Sequence, residues 1–200
     1  MFGQQNLTEM HTSLKNGEQN IKFNIHLKLN NELKNWSIAA NQQLIKGIDH
    51  DIEFGDNSIM IPHITLVIGE LKNANDLNTV VNIASQVLAR AGSINVEFSH
   101  MDFSKNNQWA FLWTKENSKI NQLAESLEQS LAPYFTVTSK NPPHITLAKA
   151  KELQKNKHVL DQLEFPKGYV ATSADFAFCG KAGTVLEVIK STALNARVKK

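Results

Sequence analysis

A strict alternation of apolar and polar residues runs from Ile21 to Leu29. Because successive side chains of a β-strand point to opposite faces, this pattern predicts a strand with one buried side and one solvent-facing side. The polar side of this predicted strand carries Lys22, Asn24, His26 and Lys28.

Four stretches repeat apolar residues at the three- and four-residue spacing of a helix. They cover residues 31–46, 75–91, 118–131 and 151–163. Gly47 and Gly92 follow the first two stretches, and Pro133 and Pro166 follow the last two, so each predicted helix ends at a residue that disfavours its continuation.

Short β-branched and aromatic runs predict further strands over residues 48–54, 94–103, 109–114, 134–138, 169–178 and 184–192. A polar turn separates residues 94–103 from 109–114, and the glycine-containing turn at 180–183 separates the last two runs. Each of these pairs is therefore predicted to form an antiparallel hairpin.

The pentapeptide Pro-His-Ile-Thr-Leu occurs twice, at residues 62–66 and 143–147. A chance recurrence has a probability on the order of one in ten thousand at average residue usage. Each copy begins a β-branched run with a proline, which is typical of the first position of a strand. On such strands His63 and Thr65 share one face, as do His144 and Thr146, about 6.6 Å apart along the strand.

The repetition extends to the order of elements, since each motif strand is followed by a predicted helix and then by a strand pair. This order indicates two duplicated αβ lobes whose motif strands could face each other across a cleft. We expect a flexible N-terminus at residues 1–20 and a single domain of two lobes at residues 21–195.

Composition limits the possible partners. The chain has 200 residues, 42% of them apolar, and a formal net charge of +2, which suits a globular protein with no general affinity for long duplexes. The sequence has no long apolar run and no signal-peptide pattern at its start, and its one cysteine, Cys179, fits a reducing compartment. We therefore expect a cytoplasmic monomer that binds neither duplex DNA nor membranes.

A histidine beside a hydroxyl is suited to phosphate ester chemistry. If the two copies face each other, one neutral imidazole could accept a proton from water or a ribose hydroxyl while the other, protonated, donates to the leaving oxygen. Thr65 and Thr146 could bind the non-bridging oxygens. No metal or other cofactor is needed for this chemistry, because an unperturbed imidazole titrates near neutrality.

The paired tetrapeptides His63-Ile64-Thr65-Leu66 and His144-Ile145-Thr146-Leu147 resemble the two His-x-Thr motifs of the 2H phosphoesterase superfamily, which includes the 2′-5′ RNA ligase-like (LigT-like) proteins. The resemblance implies an α+β fold with two mainly antiparallel sheets facing across a central cleft and helices outside. It also implies metal-independent cleavage of 2′,3′-cyclic phosphates or 2′-5′ bonds in a nucleotide or short RNA, with His63 and His144 catalytic and Thr65 and Thr146 binding phosphate.

Other interpretations compete with this one. A silent module that binds nucleotides or RNA ends would use the same cleft, whereas a zinc site would need a third ligand that the spacing does not supply. Cys179 lies between apolar residues and is expected to be buried and unreactive. The other five histidines are expected to be structural or solvent-exposed, and they are His11, His26, His50, His100 and His158.

Recognition of a base would need an aromatic platform beside the cleft. Candidates are Trp109, Trp113, Tyr134, Tyr169 and Phe178. Because Trp109, Phe111 and Trp113 share one face of one strand, we expect that face to pack in the core. Lys149 and Lys181 could contact phosphate, although solvation is the default for both.

Overall fold

The computed structural model describes residues 21–55, 58, 60–180 and 183–195. The predicted flexible segment at residues 1–20 lies outside this range, and so does Lys181. Within it, nine strands are β1 Lys22–Leu27, β2 Ile64–Leu71, β3 Ile94–Phe103, β4 Trp109–Thr114, β5 Phe135–Ser139, β6 His144–Lys149, β7 Gly168–Ala171, β8 Ser173–Cys179 and β9 Val185–Ala193. The α-helices are α1 Asn31–Leu44, α2 Leu77–Ala91, α3 Ser118–Leu131 and α4 Lys157–Gln162.

The strands form one curled antiparallel sheet in the order β7-β3-β4-β6-β2-β1-β8-β9, with β5 pairing beside β2. The strand pair β3–β4, which follows the first motif in sequence, lies next to the second motif strand, β6. The pair β8–β9 lies on the side of the first motif, because β8 pairs with β1 and β1 pairs with β2. The two halves are therefore interlocked.

The predicted α+β fold is confirmed, with antiparallel strands on one layer and helices packed against them. The two groups of strands join where β2 pairs with β6, through the partners Ile64 and Ile145. Both isoleucines are fully buried in the core. None of the helices in the described residues is long and apolar enough to cross a membrane.

Two of the predicted helices begin with a 3₁₀ turn. Residues 74–76 precede α2, and residues 153–156 precede the short α4. Where α1 begins, the Asn30 side chain accepts a hydrogen bond from the backbone N–H of Leu33 and so caps the helix.

The prediction of a strand over residues 48–54 is wrong. Ile52 and Phe54 are buried, but their backbone pairs with the side chain of Asn41 on α1. The Asn41 amide donates to the carbonyls of Ile52 and Leu147 at 3.2 and 2.8 Å and accepts from the N–H of Phe54 at 2.8 Å. The alternating burial that resembled a strand therefore comes from a loop held by one side chain.

The strand predicted over residues 169–178 is interrupted. It divides at Thr172 into β7, which pairs with β3, and β8, which pairs with β1 and β9. The chain thus passes here from one half of the sheet to the other. The burial pattern changes at this break, because exposed and buried residues alternate along β7 whereas six of the seven residues of β8 are buried.

The polar side of β1 is not solvent-facing as predicted. Asn24 and His26 are 0% and 1% exposed. Burial of polar groups is costly unless they are hydrogen-bonded, so a buried polar pair of this kind points to a constraint other than core packing.

We predict that Asn41→Leu destabilises the protein by about 3 kcal/mol or more, because three backbone groups lose their partner in a buried site. Urea unfolding followed by circular dichroism measures the change. The exposed Asn95 offers a control, and Asn95→Leu should stay within about 0.5 kcal/mol of the parent. A loss below about 1 kcal/mol in Asn41→Leu would show that the loop does not depend on this side chain.

Candidate active site

The two motif strands lie side by side, so the repeated residues meet at one place. Ile64 pairs with Ile145 in antiparallel register. This register places His63 opposite Thr146 and Thr65 opposite His144, all on the face away from the two buried isoleucines. From standard strand spacings, the two histidine Cα atoms are about 8 Å apart.

Both motif histidines are oriented by the backbone in the same way. Nδ1 of His63 donates to the carbonyl of Ile61 at 2.9 Å, and Nδ1 of His144 donates to the carbonyl of Pro142 at 2.7 Å. A carbonyl can only accept, so each Nδ1 carries a proton. In the neutral rings the Nε2 atoms are then the basic nitrogens.

The intervening prolines explain this shared geometry. Pro62 and Pro143 each stand between the histidine and the residue whose carbonyl accepts from Nδ1. Proline fixes its own φ and holds the residue before it in an extended conformation, so the direction of that carbonyl is set before the strand begins.

A buried polar row lies beside His63 on the neighbouring strands. The His26 ring on β1 is 4.6 Å from the His63 ring, centroid to centroid. His26 Nε2 lies 4.0 Å from an Asp175 carboxylate oxygen on β8, and Asp175 accepts a 2.5 Å hydrogen bond from Ser191 on β9. Asn24 of β1 contacts both His63 and Thr65 through its amide nitrogen.

The surroundings of His144 are aromatic. The rings of Phe111 and Trp113 on β4 lie 4.6 and 5.0 Å from the His144 ring. The expectation that Trp109, Phe111 and Trp113 pack in the core is therefore wrong. All three are only partly buried, whereas Ala110 and Leu112 on the other face are fully buried.

The four motif side chains line one cavity of about 840 Å³. Its wall also includes Trp109 and Phe111 from β4, the turn between β3 and β4, and the segment before the second motif. This volume lies in the range of small-molecule sites. Lys149 lies 4.9 Å from the centroid of the Trp109 ring and forms a 3.0 Å ion pair with Asp51, so its charge is already paired.

Burial lowers the pKa of all three clustered histidines. The pKa of His63 falls to about 4, because desolvation disfavours the charged ring and His144 adds a smaller repulsion. Desolvation also lowers the pKa of His144 and, well below its ordinary value, that of His26. In the free protein at neutral pH these rings are therefore uncharged.

The remaining candidates lie elsewhere. Cys179 is buried, as predicted, and burial raises the pKa of its thiol to about 12. Tyr169 and Phe178 are buried in the core, and burial also raises the pKa of Tyr169. Tyr134 packs against the core. Among the described residues, no three His, Cys, Asp or Glu side chains converge as a metal site requires.

Sequence reasoning did not single out Asn24, Asp175 or Phe111 as neighbours of the motif histidines. Asn24 carried the only sequence signal, because it lies on the polar side of the alternating strand with His26. The alternation alone does not indicate a role for Asn24, because it does not show that the polar side of β1 is buried.

Comparisons with known proteins give the fold. No protein-family model matches the sequence, and no curated protein matches it. Among solved structures, the chain is similar to E. coli LigT complexed with phosphate, with a TM-score of 0.61, 17% identity and coverage of 90% of this chain and 100% of LigT.

Two further solved structures are also similar in fold to this chain. One is described as a phosphoesterase, with a TM-score of 0.64, 17% identity and coverage of 88% of this chain and 99% of that one. The other is a Thermus thermophilus protein, with a TM-score of 0.62, 14% identity and coverage of 87% of this chain and 98% of that one. The chain has the LigT-like fold, and the fold expected from the 2H phosphoesterase resemblance is confirmed.

We predict that stability falls as the pH is lowered through the range from 6.5 to 4. In the unfolded chain His63 binds a proton near pH 6.5, whereas in the folded protein it stays neutral down to about pH 4. Stability is therefore full above pH 6.5, and it falls between pH 6.5 and about 4, where the unfolded chain binds more protons than the folded protein. His63→Gln cannot titrate and should reduce the loss by up to about 3 kcal/mol.

Urea unfolding at a series of pH values measures this slope. His158→Gln, at an exposed histidine on α4, is the matched control and should keep the parent slope. If His63→Gln and the parent lose stability equally between pH 6.5 and about 4, His63 is not held neutral by the fold.

Proposed function

We propose that this chain is a 2H phosphoesterase, a metal-independent phosphodiesterase that cleaves 2′,3′-cyclic phosphate or 2′-5′ phosphodiester bonds in a nucleotide or a short RNA. His63 and His144 act as general base and general acid, and Thr65 and Thr146 bind the phosphate. We place its activity in the cytoplasm, in a monomer that uses neither duplex DNA nor a membrane.

One observation carries the proposal. The pairing of Ile64 with Ile145 sets both histidines and both threonines on one face, at the wall of one cavity. Two imidazoles about 8 Å apart at their Cα atoms can reach opposite sides of a single phosphorus centre, since each side chain extends several ångströms into the cavity. A duplication that served only the core would not need four polar residues there.

The proton states of the two rings suggest an order of events. Both Nε2 atoms are unprotonated at neutral pH in the free protein, so the base is ready and the acid is not. A phosphate anion in the cavity favours a charged imidazole beside it. The substrate therefore supplies the field under which one ring gains the proton that it later donates to the leaving oxygen.

We assign the base to His63. Its burial lowers its pKa to about 4, and the Asn24 amide lies at 3.1 Å from Nε2, so two features favour the neutral ring. His144 lies among the partly exposed rings of Phe111 and Trp113 at the cavity wall, where an incoming anion is close. His63 then takes the proton of the attacking water or hydroxyl, and His144 donates to the leaving oxygen.

The rest of the cavity suits a nucleotide. Trp109 and Phe111 are stacked 6.1 Å apart and line the wall beside the motif residues, which gives a platform for a base. E. coli LigT has been solved in complex with 3′-AMP and with ATP. These complexes support a nucleotide as the substrate class.

The first experiment is a panel of 2′,3′-cyclic nucleotides and 2′-5′ oligoadenylates, assayed with and without a chelator. We expect hydrolysis that the chelator does not change. Binding without any turnover would indicate the silent nucleotide-binding module instead, and chelator-sensitive turnover would indicate a metallohydrolase.

We predict a bell-shaped dependence of kcat/KM on pH, because one ring must be neutral while the other is charged. His63→Ala or His144→Ala should lower the rate by about 10²- to 10⁴-fold and leave a single-sided profile. The double variant should lose little more than either single variant, since the two rings act on one transition state. Near-full turnover in either single variant would contradict the mechanism.

We also predict that Thr65→Val and Thr146→Val each weaken transition-state stabilisation by about 1.5 to 3 kcal/mol, because a donor to charged oxygen is lost while the volume is nearly kept. The ratio of kcat/KM values measures this loss. Thr136→Val, at an exposed position of β5 outside the cavity wall, is the control and should change kcat/KM by less than about threefold. Unchanged kcat/KM in both motif variants would leave the threonines as ordinary strand residues.

A further inference from the structure

Four aromatic rings extend the face of the sheet that carries His144. Trp109, Phe111 and Trp113 lie on this face of β4, and His100 on β3 is paired directly opposite Trp113. The cavity wall includes Trp109 and Phe111. Trp113 and His100 lie beyond this wall, and no step of the proposed reaction uses them.

A β-bulge brings His100 to this face. Phe98 on β3 is buried and pairs with Thr114. The next pair joins the exposed His100 to Trp113, so Ser99 is an extra residue between the two pairs. Without it, period-two alternation would place residue 100 on the core face together with Phe98. The Ser99 hydroxyl donates to the Trp113 carbonyl at 3.2 Å and lies 2.8 Å from Nδ1 of His100, so it holds both the bulge and the ring.

The four rings form two nearly parallel pairs with the His144 ring between them. The inner pair is Trp109 and Phe111, whose centroids are 6.1 Å apart and whose planes differ by 14°. The outer pair is Trp113 and His100, at 6.4 Å and 24°. The His144 ring is inclined to both pairs, at 70° to Phe111 and at 55° to Trp113. His144 therefore has an aromatic platform on each side.

The outer pair lies on the far side of His144 from His63. In the sheet, β6 stands between β2 and β4, and β3 follows β4. Cross-strand pairing places Trp113 opposite His144 and His100 opposite Trp113. A path across the sheet from His63, at the start of β2, therefore meets His144 first, then Trp113 and then His100.

The proposed reaction gives this order a chemical meaning. In an in-line displacement the attacking and leaving oxygens lie on opposite sides of phosphorus. His63 takes the proton of the attacking hydroxyl as the new P–O bond forms, and the protonated His144 gives its proton to the leaving oxygen as the old P–O bond breaks. The group attached to the leaving oxygen therefore departs on the side of the outer pair.

We propose that Trp113 and His100 form the binding site of a leaving nucleoside, so that the substrate is a phosphodiester that links two nucleosides. This inference rests on the proposed function and selects the 2′-5′ bond from the two kinds of bond that it allows. The nucleoside that keeps the phosphate stacks on the inner pair in the cavity, and the nucleoside that leaves stacks on the outer pair. The 2′,3′-cyclic phosphate of a single nucleoside uses the cavity alone.

The composition of the outer pair suits a neutral group. Every base has an aromatic face, so stacking on accessible rings binds nucleosides with little preference for the base. Lys115, which follows β4, is ion-paired with Glu97 at 2.8 Å, so its charge is already matched. Flat rings beside a matched charge fit an uncharged nucleoside better than a further phosphate.

The first test compares two substrates that differ in their leaving group. A 2′-5′-linked adenosine dinucleotide has a leaving nucleoside, whereas adenosine 2′,3′-cyclic phosphate has none. His100→Ala should lower kcat/KM for the dinucleotide by about fivefold or more and change it for the cyclic phosphate by less than about twofold. His100→Phe keeps a ring and should stay within about threefold of the parent on both. Equal effects of His100→Ala on the two substrates, or no effect on the dinucleotide, would overturn the proposal.

His158→Ala is the matched control, because it removes an exposed histidine of α4 outside the cavity wall. It should leave both kcat/KM values unchanged. Trp113→Leu removes the other ring of the outer pair, but Trp113 also contacts the His144 ring. For this variant the ratio of kcat/KM for the dinucleotide to that for the cyclic phosphate is therefore the measure, and it should fall by about fivefold or more. An unchanged ratio would also overturn the proposal, and if Trp113→Leu does not fold, His100→Ala still decides.

A binding measurement separates this proposal from the proposed function. Tryptophan fluorescence gives the dissociation constant of the dinucleotide without any turnover, and His100→Ala should raise it by about fivefold or more. That result without hydrolysis of any phosphodiester would reject the phosphodiesterase and keep the outer pair as a nucleoside site. Hydrolysis of both substrates that His100→Ala leaves unchanged would reject the nucleoside site and keep the enzyme.

Discussion

The site depends on the register of one strand pair. β2 and β6 meet with Ile64 opposite Ile145, and this pairing joins the two groups of strands into one sheet. Strand side chains alternate with a period of two, so a slip of one residue on either strand would turn its histidine and threonine toward the core. The two isoleucines prevent such a slip, because it would expose two fully buried side chains and bury polar ones. The packing of the core thus fixes the geometry of the polar face.

Burial on that face then controls the proton states. His63 is close enough to repel His26 and to be repelled by His144 when these rings are charged, and desolvation lowers the pKa of all three. In the free protein the neutral rings avoid both the charge repulsion and the cost of desolvating a charged ring. This arrangement costs stability in acid, but it leaves two basic Nε2 atoms beside a cavity, where an anion can change the balance.

The sequence predicts which residues form the motif face, and the wrong predictions for β1 and β4 have a common cause. The repeated pentapeptide predicted two strands that present His63, Thr65, His144 and Thr146 together, because period-two alternation is a local property. The patterns at β1 and β4 were assigned to the wrong environments, since alternation identifies two faces of a strand without saying what covers each. Asn24 and His26 are buried beside His63 and Asp175 from the neighbouring segments, and Trp109 and Phe111 face a cavity. Long-range pairing decides both cases, and no short window of sequence contains it.

The proline of the motif shows how local and long-range constraints combine. The sequence indicates only that Pro62 and Pro143 precede strands, yet each also determines where the preceding carbonyl points. Those carbonyls bind Nδ1 of His63 and His144 and so select the tautomer with a basic Nε2. A ring that was free to rotate or to change tautomer would present the wrong nitrogen to the cavity for part of the time. The motif therefore needs proline for the chemistry of the histidine as much as for the start of the strand, and this requirement acts within three residues of chain in both copies.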